Sequence, residues 1–144
     1  MAELEARVQK AIEEIAGNES LLEMLDTEAA AELLEWGSST ATSLVTQTEG
    51  LDDAAAELAS ASRLKAVRQF MRSAGNWAAG KYIDPADRTQ LRDKLLGFAK
   101  VIFGEDAQLP SAEEVDAVLN QVDDPQNPQK QLIMNLIDLF NKAI

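Results

Sequence analysis

The sequence predicts an all-α fold, a compact single-domain bundle of about six helices, of which three or four are long. Apolar residues recur at helical spacing along most of the 144-residue chain, and no stretch shows the alternation of a strand. Helix-start signals precede these stretches at several points. The composition, 46% apolar and 26% charged, is ordinary for a globular protein large enough to bury a core. We therefore expect one helical domain over residues 1–144.

Two segments near the N-terminus are delimited by helix breakers. The first predicted helix spans 2–16 and ends before Gly17, and the pattern leaves open whether it lies at the periphery of the bundle. Ser20, followed three residues later by Glu23, has the spacing of a capping box and predicts a short helix that reaches Leu25.

The second long segment, roughly 27–48, follows Asp26 and Thr27, both of which can cap a helix. Its predicted buried seam comprises Ala30, Leu34, Gly37, Ala41, Leu44 and Thr48. The small residues in this seam would let a neighbouring backbone come close. The outer face is rich in hydroxyls, namely Ser38, Ser39, Thr42, Ser43 and Thr46. Because such residues are mediocre helix formers, we expect this helix to depend on tertiary packing.

The third predicted helix runs from an Asp52 cap to about Ala79 and carries two apolar faces. One face consists of Leu51, Leu58 and Ala61. The other lies about half a turn away at ~100° per residue and consists of Leu64, Val67, Met71, Ala74 and Ala78. The pattern allows a kink or a break at 60–62, or a continuous helix whose Ala-rich first half packs on two sides.

Three further helices have clear start or stop signals. Asp84-Pro85 supplies a cap and a first-turn residue for a fourth helix that Gly104 ends. The inward residues of this helix are predicted to be Leu91, Leu95, Phe98, Ala99 and Ile102. Ser111 begins a capping box for a short helix, and Asn127-Pro128 begins the last helix, whose apolar arc leaves Met134 on the polar side.

Composition excludes several kinds of chemistry. The chain has no Cys and no His, so it lacks disulfides, thiolate nucleophiles, Cys-based metal sites and imidazole bases. No Glu or Asp is set in an apolar stripe clearly enough to nominate a catalytic carboxylate pair. The sequence therefore predicts no catalytic residue, no cofactor and no metal site. An enzyme that used only carboxylates, hydroxyls, Lys and Arg is the least favoured interpretation.

The sequence carries no sign of export or of a membrane segment. Its N-terminal residues lack the basic-then-apolar pattern of a signal peptide, and no apolar run approaches the ~20 residues that span a bilayer. Together with the lack of Cys, this favours a cytoplasmic protein that does not enter a membrane.

Two short motifs approximate ligand-binding loops. Gly75–Lys81 fits the pattern G-x-x-x-x-G-K, but Tyr82 stands where a phosphate loop needs a hydroxyl for Mg²⁺, and the context is a helix end. Asp123–Asn127 could begin a calcium loop, but the central Gly is missing and Asn135 replaces the closing Glu. A helix stop and helix caps explain these residues better.

Positive charge is concentrated in the middle of the chain. Nine of the 13 Lys and Arg residues fall between Arg63 and Lys100, against three Asp, for a net charge of +6. Residues 1–62 carry −12 and residues 101–144 carry −6, so the total of −12 conceals a dipolar layout. The overall acidity argues against a nucleic-acid partner, since such proteins usually show a basic domain.

Five basic residues are candidates for binding an anion or a partner. Lys65, Arg68 and Arg72 lie within about 60° of one another on the third helix, and Arg side chains can hold carboxylate or phosphate through two parallel hydrogen bonds. The alternative is a solvated face that pairs with acidic helices of the same chain. Arg88 and Arg92 project into the apolar arc of the fourth helix. We expect their charged ends to extend outward to water, with an internal ion pair or an interface as the alternatives.

Other residues have weaker claims. Trp36, Trp77 and Tyr82 could line a pocket, although large aromatic residues at helix margins usually belong to the edge of a core. The hydroxyl-rich face of the second helix could also meet a ligand.

The functional hypothesis is a non-enzymatic interaction or regulatory module that presents helix faces to a protein partner or to a second copy of itself. The alternative is a binding protein for a small anionic ligand held by Arg and Lys of the third and fourth helices. If the three cations of the third helix serve a partner, they should lack an intramolecular carboxylate.

Overall fold

The computed structural model describes residues 2–16, 23, 25–81, 84–120 and 128–142. These residues form six helices, contain no strand and are 82% helical, which confirms the predicted all-α bundle. The helices are α1 (Ala2–Ala16), α2 (Thr27–Thr46), α3 (Asp53–Ala78), α4 (Pro85–Phe103), α5 (Ala112–Asn120) and α6 (Pro128–Asn141).

The two longest helices, α2 and α3, form the centre of the bundle. α2 packs against α1, α3 and α6, whereas α3 packs against α2, α4 and α6. α5 connects the two sides because it contacts both α4 and α6. At the centre, the Phe70 ring lies 4.8 Å from that of Trp36 and meets the Phe140 ring edge-on at 5.0 Å, so aromatic contacts join α2, α3 and α6.

The first helix contributes to the core. Ala11 and Ile15 are each only 1% exposed and pack in the same apolar cluster as the residues of α2 and α3. The predicted short helix after Ser20 lies outside the described residues except for Glu23 and Leu25, of which Leu25 is buried.

Gly37, Ala41, Leu44 and Thr48 of the predicted seam are buried as expected, but the first turns of α2 differ from the prediction. Ala29, Leu33 and Trp36 are buried, whereas Ala30 and Leu34 of the predicted seam are only half-buried. In the first turns of α2, apolar residues occupy adjacent positions, so the sequence fits two possible buried faces that differ by one residue. The packing of α2 against α1, α3 and α6 determines which face is buried.

Helix α3 is continuous through residues 60–62, so the predicted break does not occur. Its second apolar face points into the core, with Val67, Met71 and Ala74 buried. The first face is largely open to solvent: Leu58 is 74% exposed and Leu51 is 51% exposed. The sequence expectation that the first half packs on two sides is therefore wrong for the Leu51–Leu58 face.

The predicted caps set the helix starts. The carboxylates of Asp26, Asp52 and Asp84 accept hydrogen bonds from the backbone N–H groups of Ala29, Ala55 and Ala86. Gly104 ends α4 with φ of 91°, a conformation that side-chain-bearing residues rarely adopt. These local signals fix where α2, α3 and α4 begin and where α4 ends.

Candidate functional site

The three basic residues predicted on the third helix lie on the surface. Lys65, Arg68 and Arg72 are all exposed. None of the three makes a hydrogen bond or an ion pair within the described chain, whereas other ionic side chains of that part do, for example Arg7 with Asp53 at 2.7 Å. Like charges at these spacings repel one another, and no carboxylate of the described chain offsets the repulsion among these three cations.

An apolar surface continues the same face of α3 toward its N-terminus. Its residues that belong to α3 lie on the same side as the three cations, since positions three, four and seven residues apart lie on one side of a helix. Leu51 precedes the Asp52 cap at the start of this surface. The residues of the apolar surface are all exposed and comprise Leu51, Ala54, Ala55, Leu58 and Ala61. We call the combined surface, these five residues with Lys65, Arg68 and Arg72, the exposed α3 face.

Charge divides α3 into two ends of opposite sign. The acidic end and the turn before it carry four carboxylates, those of Glu49, Asp52, Asp53 and Glu57. The following stretch, 58–62, is uncharged. Four cations come next, Arg63, Lys65, Arg68 and Arg72, with no carboxylate among them. The side chain of Arg63 is only half-exposed and donates a hydrogen bond to Gln47 across 3.4 Å, so it takes no part in the exposed α3 face.

The structure assigns Arg88 and Arg92 to contacts with α5. Arg92 Nη1 donates to Asp116 Oδ2 across 2.8 Å, and Arg92 Nε donates to Asp93 Oδ1 across 3.1 Å. Arg88 Nη1 donates to Asn120 Oδ1 across 2.9 Å. Of the alternatives for these residues, Arg92 therefore takes the ion pair within the chain, and this pair forms at the surface, since the Asp93 side chain is 65% exposed.

The partners of Arg92 also set its protonation. Hydrogen bonds to Asp116 and then to Asp93 raise the pKa of its guanidinium above the usual value, because both favour the charged form. Because Asp116 belongs to α5, the hydrogen bond from Arg92 helps to hold α5 against α4.

A groove between α2 and α6 has the opposite charge to the triad formed by Lys65, Arg68 and Arg72. It has a volume of about 490 Å³, and Glu32, Glu35 and Asp138 supply carboxylates to its lining, together with the exposed hydroxyls of Ser39 and Ser43. No Lys or Arg of the described residues lines it. Ser39 and Ser43 of the predicted hydroxyl-rich face of the second helix therefore line an acidic groove.

The aromatic residues considered for a pocket belong mainly to the core. Trp36 and Trp77 are both buried, and Trp36 Nε1 donates to Asn141 Oδ1 across 3.2 Å. Trp36 reaches the acidic groove only with its margin, since it is 6% exposed. Tyr82 lies outside the described residues.

A smaller groove, about 270 Å³, lies between α1, α2 and α3. Its charged lining is mixed, with Arg7, Lys10 and Glu57. The hydroxyl of Ser60 also lines it, is buried, and has no hydrogen-bond partner among the residues that the structure describes. Neither groove contains any of the five basic residues singled out in the sequence.

The described residues form neither a carboxylate cluster for a metal ion nor a membrane-spanning helix. No three carboxylates in that part of the chain are grouped so that they could hold a metal ion. Among its helices, none combines the length and the apolar character needed to cross a bilayer. The Asp123–Asn127 segment lies outside the described residues.

Comparison of the chain with protein-family models, with curated proteins and with solved structures gave no significant match.

Sequence reasoning missed part of the site that the structure reveals. The sequence analysis identified both the triad and the apolar face that contains Leu51 and Leu58. It did not combine them into one surface, because it expected the apolar face to be packed against other helices. The signal was present in the common helical phase of Leu58 and Lys65, seven residues apart. The acidic groove and the unpaired Ser60 hydroxyl left no comparable signal, since both arise from neighbouring helices.

Proposed function

We propose that this chain is a non-enzymatic interaction module that binds a protein partner through the exposed α3 face. The main observation behind this proposal is that Lys65, Arg68 and Arg72 are exposed and make no hydrogen bond or ion pair within the described chain. Exposed apolar residues extend the same surface toward the N-terminus of α3. An interface commonly combines an apolar patch with charged groups that select the partner. The complementary partner surface is apolar at one end and acidic at the other.

The alternative function, binding of a small anionic ligand, has less support. Ligand sites are usually concave, whereas the triad lies on an outward helix surface and neither described groove contains it. Arg88 and Arg92 have intramolecular partners on α5. Titration calorimetry with inorganic phosphate would favour this alternative if saturable binding vanished in the charge-reversed triad.

The experiment that tests the proposal is partner capture with charge-reversed variants. Immobilised wild-type protein and the variant K65E/R68E/R72E are exposed to extract of the cells from which the protein comes, and bound proteins are identified by mass spectrometry. A matched control is K81E/K94E/K100E, which makes the same charge change at three exposed lysines outside the exposed α3 face.

The proposal requires that the triad variant loses partners that the wild type and the control both retain. Circular dichroism should show the same helical content in all three proteins, because the substituted residues are exposed. Recovery of the same partners by the triad variant would refute the proposed function.

A further inference from the structure

Helix α3, which carries the exposed α3 face, is suited to a particular partner because charges of opposite sign occupy its two ends. Carboxylates occupy the N-terminal end, cations occupy the C-terminal end, and small uncharged residues lie between them. Two such helices placed side by side in the same direction would bring like charges together. Placed in opposite directions, each acidic end would meet a basic end.

We propose that the exposed α3 face binds the same face of a second copy of this chain, with the two α3 helices antiparallel. This inference rests on the proposed function, because it names the partner of the same surface. The contact is isologous: a twofold axis relates the copies and each opposing pair occurs twice.

The flanks of the helix support this arrangement. Glu57 and Arg68 lie within about 20° of each other around the helix axis, at one edge of the exposed α3 face. In an antiparallel pair related by a twofold axis perpendicular to the helices, equivalent edges of the two helices meet. Glu57 of one copy therefore faces Arg68 of the second copy, and both side chains of the pair are exposed in the single chain.

The pairing of Glu57 with Arg68 of the second copy fixes the register, and the twofold axis repeats the same pair at the other end of the contact. Asp53 is held by Arg7 of its own chain and takes no part. The midpoint then falls at residues 62–63, next to Ala61 and Ser62, whose small side chains permit close approach of the helices. Leu58 lies between Lys65 and Gln69 of the second copy and can pack on their aliphatic stems.

The dimensions of the surface indicate a weak dimer. A helix of 26 residues is about 39 Å long at ~1.5 Å per residue, so a strip ~10 Å wide covers on the order of 400 Å² per copy. Stable complexes usually bury about 800 Å² per partner. We therefore expect a dimer that forms in the micromolar range or above and weakens with salt, because its charged pairs lie at the edges of the contact.

The test is a charge exchange measured by sedimentation equilibrium over roughly 10 µM to 1 mM protein at low salt, a range chosen for a contact below the standard size. Wild type is compared with R68E, with E57R, with an equimolar mixture of those two variants, and with the double variant E57R/R68E. K94E and E105R serve as controls, since they make the same changes at exposed positions outside the α3 face.

The expected result is specific to this geometry. R68E alone and E57R alone each place like charges opposite one another twice, and should weaken the dimer about tenfold or more. The mixture should restore it, because one copy then contributes two carboxylates and the other two guanidinium groups. The double variant should also restore it, and both controls should dimerise as the wild type does. Leu58→Ser should weaken it without a change in helical content, since Leu58 is 74% exposed in the single chain.

Three outcomes would overturn the inference. Wild type that stays monomeric up to about 1 mM would exclude a self-contact of the expected strength, while partner capture would still judge the proposed function separately. A dimer that neither R68E nor E57R weakens would use another surface. A dimer that R68E weakens but the mixture does not restore would mean that the cations meet a different acidic site, for which the α2–α6 groove of a second copy is the candidate.

Discussion

Gly37 in α2 lies directly against Met71 in α3: a Cβ atom on residue 37 would overlap the Met71 sulfur and stand 3.0 Å from its terminal methyl carbon. The same Cβ would lie 3.3 Å from Ile15 Cγ2. The sequence led us to expect a neighbouring backbone at this small residue, but the space is filled by side chains of α1 and α3. The absence of a side chain at Gly37 thus allows three helices to pack together.

Gly37→Ala should lower the free energy of unfolding by about 1 kcal/mol. Ala gains up to about 1 kcal/mol of helix propensity over Gly, but overpacking a buried site costs roughly 1–3 kcal/mol. Although Met is flexible, Met71 is 2% exposed and enclosed by other core residues, so overpacking should dominate. Urea denaturation measures the difference.

The same substitution in a Met71→Ala background should have the opposite sign. Met71→Ala alone should cost about 2–5 kcal/mol, and adding Gly37→Ala should then recover part of that loss because the new Cβ fills vacated space. If Gly37→Ala had the same effect in both backgrounds, the contact between residues 37 and 71 would not govern the packing.

Removal of the α2 cap should destabilise the protein. Asp26 Oδ1 accepts a 2.8 Å hydrogen bond from the N–H of Ala29. Asp26→Ala should cost about 1 kcal/mol, within the ~0.5–2 kcal/mol range for N-caps, whereas Asp26→Asn should cost much less because Asn also caps well. Thermal denaturation of the two variants compares them, and equal losses would argue against a capping role.

Ser60→Ala should stabilise the protein by about 1 kcal/mol, since it removes a buried hydroxyl that lacks a partner among the described residues and raises helix propensity. Ser62→Ala is the matched control in the same helix, because Ser62 is exposed and gains only propensity. Chemical denaturation should show the larger gain at residue 60. A loss of stability there would show that the hydroxyl has a partner in solution.

Arg92→Ala should lower the melting temperature by loosening α5 from α4. The control Lys94→Ala removes an exposed cation of the same helix and should have little effect. Because the pKa of Arg92 is raised in the folded state, its pairing with the ionised carboxylates stabilises the fold from neutral pH up to the usual arginine value, and the contribution is lost as pH rises through the raised pKa. The difference between the two variants should therefore persist from neutral to moderately alkaline pH, where melting curves can test it.

Features that depend on a few consecutive residues could be predicted from the sequence. The caps at Asp26, Asp52 and Asp84 form as expected because an Asp side chain reaches the N–H groups two or three residues ahead of it, whatever surrounds the helix. Gly104 likewise ends α4 because its positive φ is a local requirement. The all-α fold follows from the helical spacing of the apolar residues together with these signals.

The candidate site was only partly predictable. The triad of Lys65, Arg68 and Arg72 follows from helical spacing, since residues three and four apart share a face. Their lack of a partner within the described chain did not follow, because abundant carboxylates elsewhere in the chain could have reached them. Arg92, another basic residue from the middle of the chain, pairs with Asp116, which belongs to a different helix.

By itself, the sequence determined where helices begin and end and which side chains share a phase along α3, because backbone geometry sets both. Only the tertiary structure decided which of those phases are covered. Leu58 and Val67 are both apolar and both belong to α3, but Val67 faces neighbouring helices whereas Leu58 faces water. The difference arises because burial depends on neighbours brought close by the whole bundle, and no local pattern specifies them.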